Sequence, residues 1–232
     1  MLLMLKDNLS VIRSRIEHAA MGAGRKPGEI TLVAVTKTVA LDKIKEAIEI
    51  GMDIFGENRV QEAQNKISNL KNQATRPVAW HLIGHLQKNK VKYAVALFEL
   101  IHTVDSVALA DEINRQAEKM HKIQRILAQV KLAEEDTKHG ISENGLPLLV
   151  DAITGMKHLS LEGLMTIPPF FENPEMARPY FRRLRTLRDK YIDSGYRLKE
   201  LSMGMSNDFE AAIQEGATLV RIGTAIFGER SI

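Results

Sequence analysis

Cysteine is absent from all 232 residues. Disulfides, thiolate zinc sites and cysteine nucleophiles are therefore excluded by composition, and the absence fits a cytosolic chain. Charge of one sign is also scarce. Lys and Arg number 32 against 29 Asp and Glu, a net +3 that is too slight to mark a nucleic-acid binder. Long apolar runs are missing too. Met1-Leu2-Leu3-Met4-Leu5 is broken by Lys6 and Asp7, well short of a signal-peptide core, and no stretch approaches the roughly 18 apolar residues of a membrane span. Together these absences predict a soluble, unexported, cytoplasmic protein with neither nucleic acid nor membrane as partner. What is present, 44% hydrophobic and 26% charged residues, suffices for a sizeable core and argues against disorder.

The apolar periodicity alternates along the chain. Leu5, Leu9, Ile12, Ile16 and Ala20 recur at helical spacing and predict an amphipathic helix over 3–21, ended by Gly22 and Gly24. Strand-then-helix units follow. The predicted strands are 30–37, 53–58, 80–84, 100–104, 125–132, 161–167, 198–203 and 217–223. Helices are predicted over 41–50, 59–70, 87–97, 106–120, 143–157, 175–193 and 208–215, with the last unit just begun at the eighth strand. A polar loop, Glu134 to Ser142, is expected to overhang the carboxyl side as a lid or docking surface. Alternating β and α units imply a parallel sheet with helical crossovers. An open doubly wound sheet satisfies the same periodicity, but eight units point to a closed (β/α)8 TIM barrel preceded by an extra helix. No linker or shift in composition divides the chain, so 1–232 is expected to form a single domain.

The chemistry is organised around Ile30-Thr31-Leu32-Val33-Ala34-Val35-Thr36-Lys37-Thr38. Strict alternation puts Thr31, Val33, Val35 and Lys37 on one face, with the lysine last. An amine at the carboxyl end of a buried strand is placed to be desolvated and nucleophilic toward an aldehyde. The plainer alternative is a lysine that snorkels to solvent. In a barrel the carboxyl ends of the strands build the active face, which here gathers Lys37, Asn58, His81 to His85, Thr103 to Asp105, Lys131, Met165-Thr166, Ser202 to Asn207 and Arg221 to Thr224. Closure sets the first strand beside the eighth and brings Lys37 toward Arg221. Two neighbouring cations call for an anion. Barrels often hold phosphate with the loops after strands seven and eight, and those loops, Ser202 to Asp208 and Arg221 to Ala225, each join a glycine to a hydroxyl. Singly, Ser206 or Asp208 reads equally well as a helix cap. Jointly, a reactive lysine, a phosphate cradle and an arginine suggest a phosphorylated aldehyde, pyridoxal phosphate (PLP).

The motifs then add a resemblance. Ala34-Val35-Thr36-Lys37-Thr38, Phe55-Gly56-Glu57-Asn58, Trp80-His81-Leu82-Ile83-Gly84, Gly163-Leu164-Met165, Leu201 to Ser206 and Val220 to Gly228 resemble those of the YggS/PROSC family, the PLP homeostasis proteins. The resemblance implies a barrel of the alanine racemase N-terminal-domain type, standing alone, with PLP held as an aldimine on Lys37. It further implies that Arg221 approaches the pyridine nitrogen, that Ser202, Ser206, Gly223 and Thr224 surround the phosphate, and that Asn58 lines the ring pocket. His85 stands where many relatives have proline, which sets the loop Gly84 to Lys90 apart. The implied role is buffering or delivery of PLP, with transient contact to PLP-requiring apoenzymes, no catalytic residues and no established catalytic turnover. The alternative is a PLP-dependent enzyme such as an amino-acid racemase. Two features weigh against it. A guanidinium only donates, so a pyridine nitrogen facing Arg221 stays unprotonated and is a weaker electron sink. And only a few residues follow Thr224, leaving no room for the racemases' second domain with its second proton-transfer group. The same shortness predicts a monomer.

Two other patterns read as structure. His81 and His85 are four apart, which suits a metal on a helix, but on a strand they lie ~13 Å apart, so no metal site is expected. Arg178, Arg182, Arg183, Arg185, Arg188 and Lys190 share a helix with Phe181, Leu184, Leu187 and Tyr191 at helical spacing, which makes the charges its solvated face.

Overall fold

The computed structural model describes residues 2–71, 76–133 and 139–228. Its strands are β1 (Thr31–Val35), β2 (Ile54–Glu57), β3 (Ala79–Leu82), β4 (Leu100–Val104), β5 (Gln124–Lys131), β6 (Ile141–Ser142), β7 (Leu159–Met165), β8 (Glu200–Ser202) and β9 (Leu219–Ile222). All ladders are parallel. The order β4-β3-β2-β1-β9-β8-β7-β5 is closed by β4 on β5, giving the expected barrel of eight strands. The short β6 pairs only with β5 and falls inside the stretch expected to be a loop. The lid or docking role expected for that stretch centres on residues 134–138, which lie outside the described residues.

The helices are α1 (Leu2–Gly22), α2 (Leu41–Glu49), α3 (Val60–Leu70), α4 (Val91–Leu97), α5 (Val107–Lys119), α6 (Leu146–Thr154), α7 (Arg178–Asp193), α8 (Phe209–Gln214) and α9 (Thr224–Phe227). α1 buries the predicted Leu5, Leu9, Ile12, Ile16 and Ala20. It packs on the two shortest helices, where Asn8 donates to the Ile226 carbonyl at 3.1 Å and Arg15 pairs with Glu210. The extra helix thus covers the stretch of wall that six-residue α8 and four-residue α9 leave thin. α4 and α7 start later than predicted because tight 3-10 turns, Lys88–Lys90 and Pro174–Ala177, precede them.

Parallel strands are buried on both faces, and the two faces form separate apolar clusters. The outer one lies between barrel and helices and includes Ala34, Phe55, Leu82, Ile101, Ile126, Leu164, Leu201 and Val220. The inner one is small: Val33, Leu100, Leu127, Met165 and Leu219. Where β7 meets β8 there is room only for glycine. A Cβ on Gly163 would sit 1.9 Å from the Glu200 carbonyl oxygen, so the two strands must part to admit it. Gly163→Ala is expected to cost ~1–3 kcal/mol, as overpacking does, and to lower the thermal midpoint by several degrees. Thermal unfolding followed by circular dichroism checks this, and an unchanged midpoint refutes it.

The basic face of α7 is turned to solvent as expected, with Arg182, Arg183 and Lys190 exposed over the buried Phe181 and Leu184, and most of its charges are also paired. Arg178, Arg182 and Arg185 converge on the buried Glu215 at 3.3, 2.9 and 3.3 Å. Burial pushes the Glu215 carboxyl up, but bonds from Arg182 and Arg178 outweigh it and hold the group below its ordinary range. Arg183 pairs with Glu143 and Arg188 with Asp189. Five of the helix's six cationic side chains named above are thus paired with carboxylates. No helix among the described residues is long and apolar enough to cross a membrane.

Candidate functional site

β1 ends two residues before the lysine that its sequence pattern had assigned to it. The Thr36 amide still bonds to the Gly56 carbonyl at 3.0 Å, but the Thr36 carbonyl accepts from the Val39 amide at 2.9 Å and turns the chain. Lys37 therefore stands half-buried in a tight turn just beyond the end of the strand. Thr38 completes the turn at φ +60°, a left-handed conformation that costs a non-glycine residue energy. β1 lies between β2 and β9, with Val33 opposite Arg221.

Above the inner apolar floor, two residues further along the strands, comes a polar layer. Arg221, His102 and His81 project into the barrel and are buried, as is Ser202. One Arg221 amine donates to the Ser202 hydroxyl at 2.5 Å and another to the Thr166 carbonyl at 2.9 Å. Ser202 Oγ lies 2.8 Å from His102 Nδ1, and His102 Nε2 lies 3.1 Å from His81 Nδ1. The direction of this chain follows from its first member. Arg221 only donates, so Ser202 accepts from it and turns its own proton to His102 Nδ1. His102 then carries its proton on Nε2 and donates to His81. Both imidazoles are neutral in this arrangement, and burial agrees: it pushes His81 down to about 4 and His102 well below the ordinary imidazole range. Burial also pushes Arg221 down, to about 10, which leaves it a cation at neutral pH. Among the described residues no carboxylate lies within ion-pair distance of it.

The loops after β8 and β9 form the corner beside this layer. Gly204 has φ +90°, and a Cβ there would meet Ala212 Cβ at 2.6 Å, so only glycine fits the bend. Asp208 closes the loop by accepting from the Met205 amide at 2.6 Å, and burial raises its carboxyl above the ordinary range. Ser206 Oγ accepts two long bonds, 3.4 Å each, from the amides of Gly223 and Ala225. Thr224 is exposed at the start of α9. The structure thus brings Ser206, Gly223 and Thr224 together at one corner, with Ser202 and Arg221 deeper, while Asn58 follows β2, two strands away from β9. Asn58 lines a cavity of about 220 Å³ with Ile83, Gly84, His85, Gln129, His139 and Ile167.

Several residues here escaped the sequence reading. His102 sits on an otherwise apolar strand, where a lone histidine carries no signal by itself. His139 stacks on His85 with centroids 3.8 Å apart and planes 12° apart, and His85 Nδ1 lies 3.9 Å from Asp105. One ligand atom from each of the three falls within 4.8 Å of the others. Nearly parallel rings send their lone pairs side by side instead of converging, so this is a stacked pair beside a carboxylate and not a preformed tetrahedral metal centre. Glu57 was quoted only within a motif and Lys66 went unread, although Glu62 and Lys66 stand at the i,i+4 spacing that pairs charges on a helix.

Residues 5–231 match the family profile described as Alanine racemase, N-terminal domain. The pyridoxal phosphate homeostasis protein of Aquifex aeolicus (strain VF5) is 45% identical over 225 residues, 97% of either chain. The chain belongs to the pyridoxal phosphate homeostasis protein family. Another member, from Escherichia coli (strain K12), is 39% identical over 232 residues, again 97% of either chain. Among solved structures, PipY of Synechococcus elongatus PCC7942 with PLP bound superposes with a TM-score of 0.86 at 34% identity, covering 97% of this chain and all of that one. An alanine racemase of Clostridium difficile 630 shares the fold at a TM-score of 0.73 and 16% identity, with 99% of this chain matching 57% of that one. The fold is thus the alanine racemase N-terminal barrel that the motifs implied.

Proposed function

We propose that this chain binds PLP through Lys37 and works in PLP homeostasis, buffering the cofactor or handing it to apoenzymes, without turnover of its own. The observation that carries the proposal is Arg221: a guanidinium sealed in the barrel, two of its five N–H donors spent on Ser202 and Thr166, and no carboxylate hydrogen-bonded to it among the described residues. Such a cation suits an acceptor arriving from the mouth, which the pyridine nitrogen is. The corner of Ser206, Gly223 and Thr224 suits the phosphate: its amides are met only by long bonds from a hydroxyl that an anionic oxygen can replace. Lys37 supplies the amine, and Asn58 stands at the cavity for the ring. The relatives' names and the PLP carried by PipY support the same reading.

Bound, the cofactor supplies an aldehyde carbon that joins amines reversibly. The protein's part is orientation. Lys37 would present its amine from a held turn, Arg221 would donate to the ring nitrogen and keep it unprotonated, and Ser202, His102 and His81 hold that arginine in place. Neutral imidazoles are poor general acids at neutral pH, which favours storage over proton donation at carbon. A cytoplasmic location, a single-domain monomer and brief contacts with recipient apoenzymes complete the proposal.

The test is to add PLP to purified protein, reduce with borohydride and map the adduct by peptide mass. Attachment at Lys37 is the expected result, and an adduct elsewhere or none overturns the reading. An amino-acid racemase would exchange the α-proton of alanine or serine in deuterated water at ordinary turnover numbers; exchange no faster than with free PLP is expected. Thr224→Val, which removes one hydroxyl donor to a charged phosphate, is expected to weaken PLP binding by ~1–3 kcal/mol, roughly five- to 150-fold. Equilibrium dialysis checks it; equal affinity removes Thr224 from the cradle.

A further inference from the structure

Both peptide groups that flank Lys37 are tied to one buried ionic hub. Lys66, on α3, spends its three ammonium protons on the Thr36 carbonyl at 2.6 Å, Glu57 Oε1 at 2.7 Å and Glu62 Oε1 at 2.6 Å. The same Glu62 oxygen accepts from the Thr38 amide at 2.6 Å. Glu57 Oε1 also accepts from the Thr36 hydroxyl at 2.6 Å. The Lys66 and Glu57 side chains are 8% and 0% exposed. The turn is thus gripped just before the lysine through Thr36 and just after it through Thr38.

Such a hub is a poor way to stabilise a fold, because desolvating two carboxylates and an ammonium offsets most of their attraction. Burial, the largest influence on Glu57, raises its carboxyl, and Glu57 Oε2 is buried with no hydrogen-bond partner. What the hub does achieve is geometric. Thr38 sits at φ +60°, where a threonine does not rest unaided, and the bond to Glu62 holds it there. We infer that Lys66, with Glu57 and Glu62, is a positioning device that fixes Lys37 at the barrel mouth by holding the strained turn on which it stands. This rests on the proposed attachment of PLP to Lys37.

Glu62→Ala is the sharpest test, since it frees the Thr38 amide and leaves Lys66 paired with Glu57. PLP affinity is expected to fall roughly tenfold, the size of one charge-assisted hydrogen bond. Borohydride still fixes the adduct on Lys37 at saturating PLP. Thr38→Gly added to Glu62→Ala is expected to restore most of the affinity, because glycine takes a positive φ freely; a merely destabilised protein would not be rescued by glycine. Lys66→Met is expected to repeat the Glu62→Ala loss. A second readout needs no cofactor: acetylation of Lys37 in the PLP-free protein, measured peptide by peptide, should change several-fold in Glu62→Ala while lysines away from the hub keep their rates. Wild-type affinity and wild-type labelling in Glu62→Ala overturn the inference. A changed labelling rate in a protein that never attaches PLP at Lys37 overturns the proposed function and upholds the clamp.

Discussion

Lys37→Ala is expected to stay colourless in excess PLP, to give no borohydride-stable adduct and to bind PLP on the order of a hundredfold more weakly, about 2.8 kcal/mol. The covalent bond is lost, while Arg221 and the corner of Ser206, Gly223 and Thr224 remain and still hold the phosphate and ring nitrogen. Lys37 lies in a half-buried turn beyond β1, and the hub grips the backbone on either side of it through Thr36 and Thr38. Equilibrium dialysis and peptide mapping measure both parts. A variant that keeps its colour and carries the reduced adduct on another lysine moves the attachment site, and with it the account of the turn.

The barrel was legible because its signal is periodic and repeated. Eight apolar runs each followed by a helical stripe leave few topologies open, and β4 matches its predicted bounds residue for residue. Errors gathered where side chains overrule periodicity. The alternation Thr31, Val33, Val35, Lys37 is perfect on paper, yet the ladder stops at Val35 because Lys66 and the Val39 amide take the Thr36 carbonyl. No window of sequence around Thr36 contains Lys66, thirty positions away. The same holds inside the barrel. Ser202 was read for its place in a glycine-hydroxyl loop, whereas its hydroxyl turns inward between Arg221 and His102, a partnership one hundred residues apart. Strand-end loops advertise themselves by composition. Networks between strands exist only once the barrel is closed.

That inward network makes the protein sensitive to mild acid. The unfolded chain takes up protons on His81 near 6.5, whereas in the folded barrel burial holds it neutral down to about 4. Between these values the unfolded state binds more protons, so stability rises with pH across the window and is lost as pH falls through it. His81 alone is expected to cost about 2 kcal/mol between pH 7 and pH 5, and His102, also lowered by burial, adds in the same direction. Glu57 and Asp208, raised by burial, work the opposite way just above the carboxylate range, so the wild-type curve alone does not isolate the imidazoles. His81→Gln does. Glutamine offers a hydrogen-bond acceptor to His102 but no titrating group, so the variant is expected to lose about one proton's worth of slope in urea-unfolding free energy between pH 7 and pH 5. If both proteins lose the same stability over that range, His81 is not a neutral buried imidazole. The proton order from Arg221 through Ser202 and His102 would then have to be redrawn from its far end.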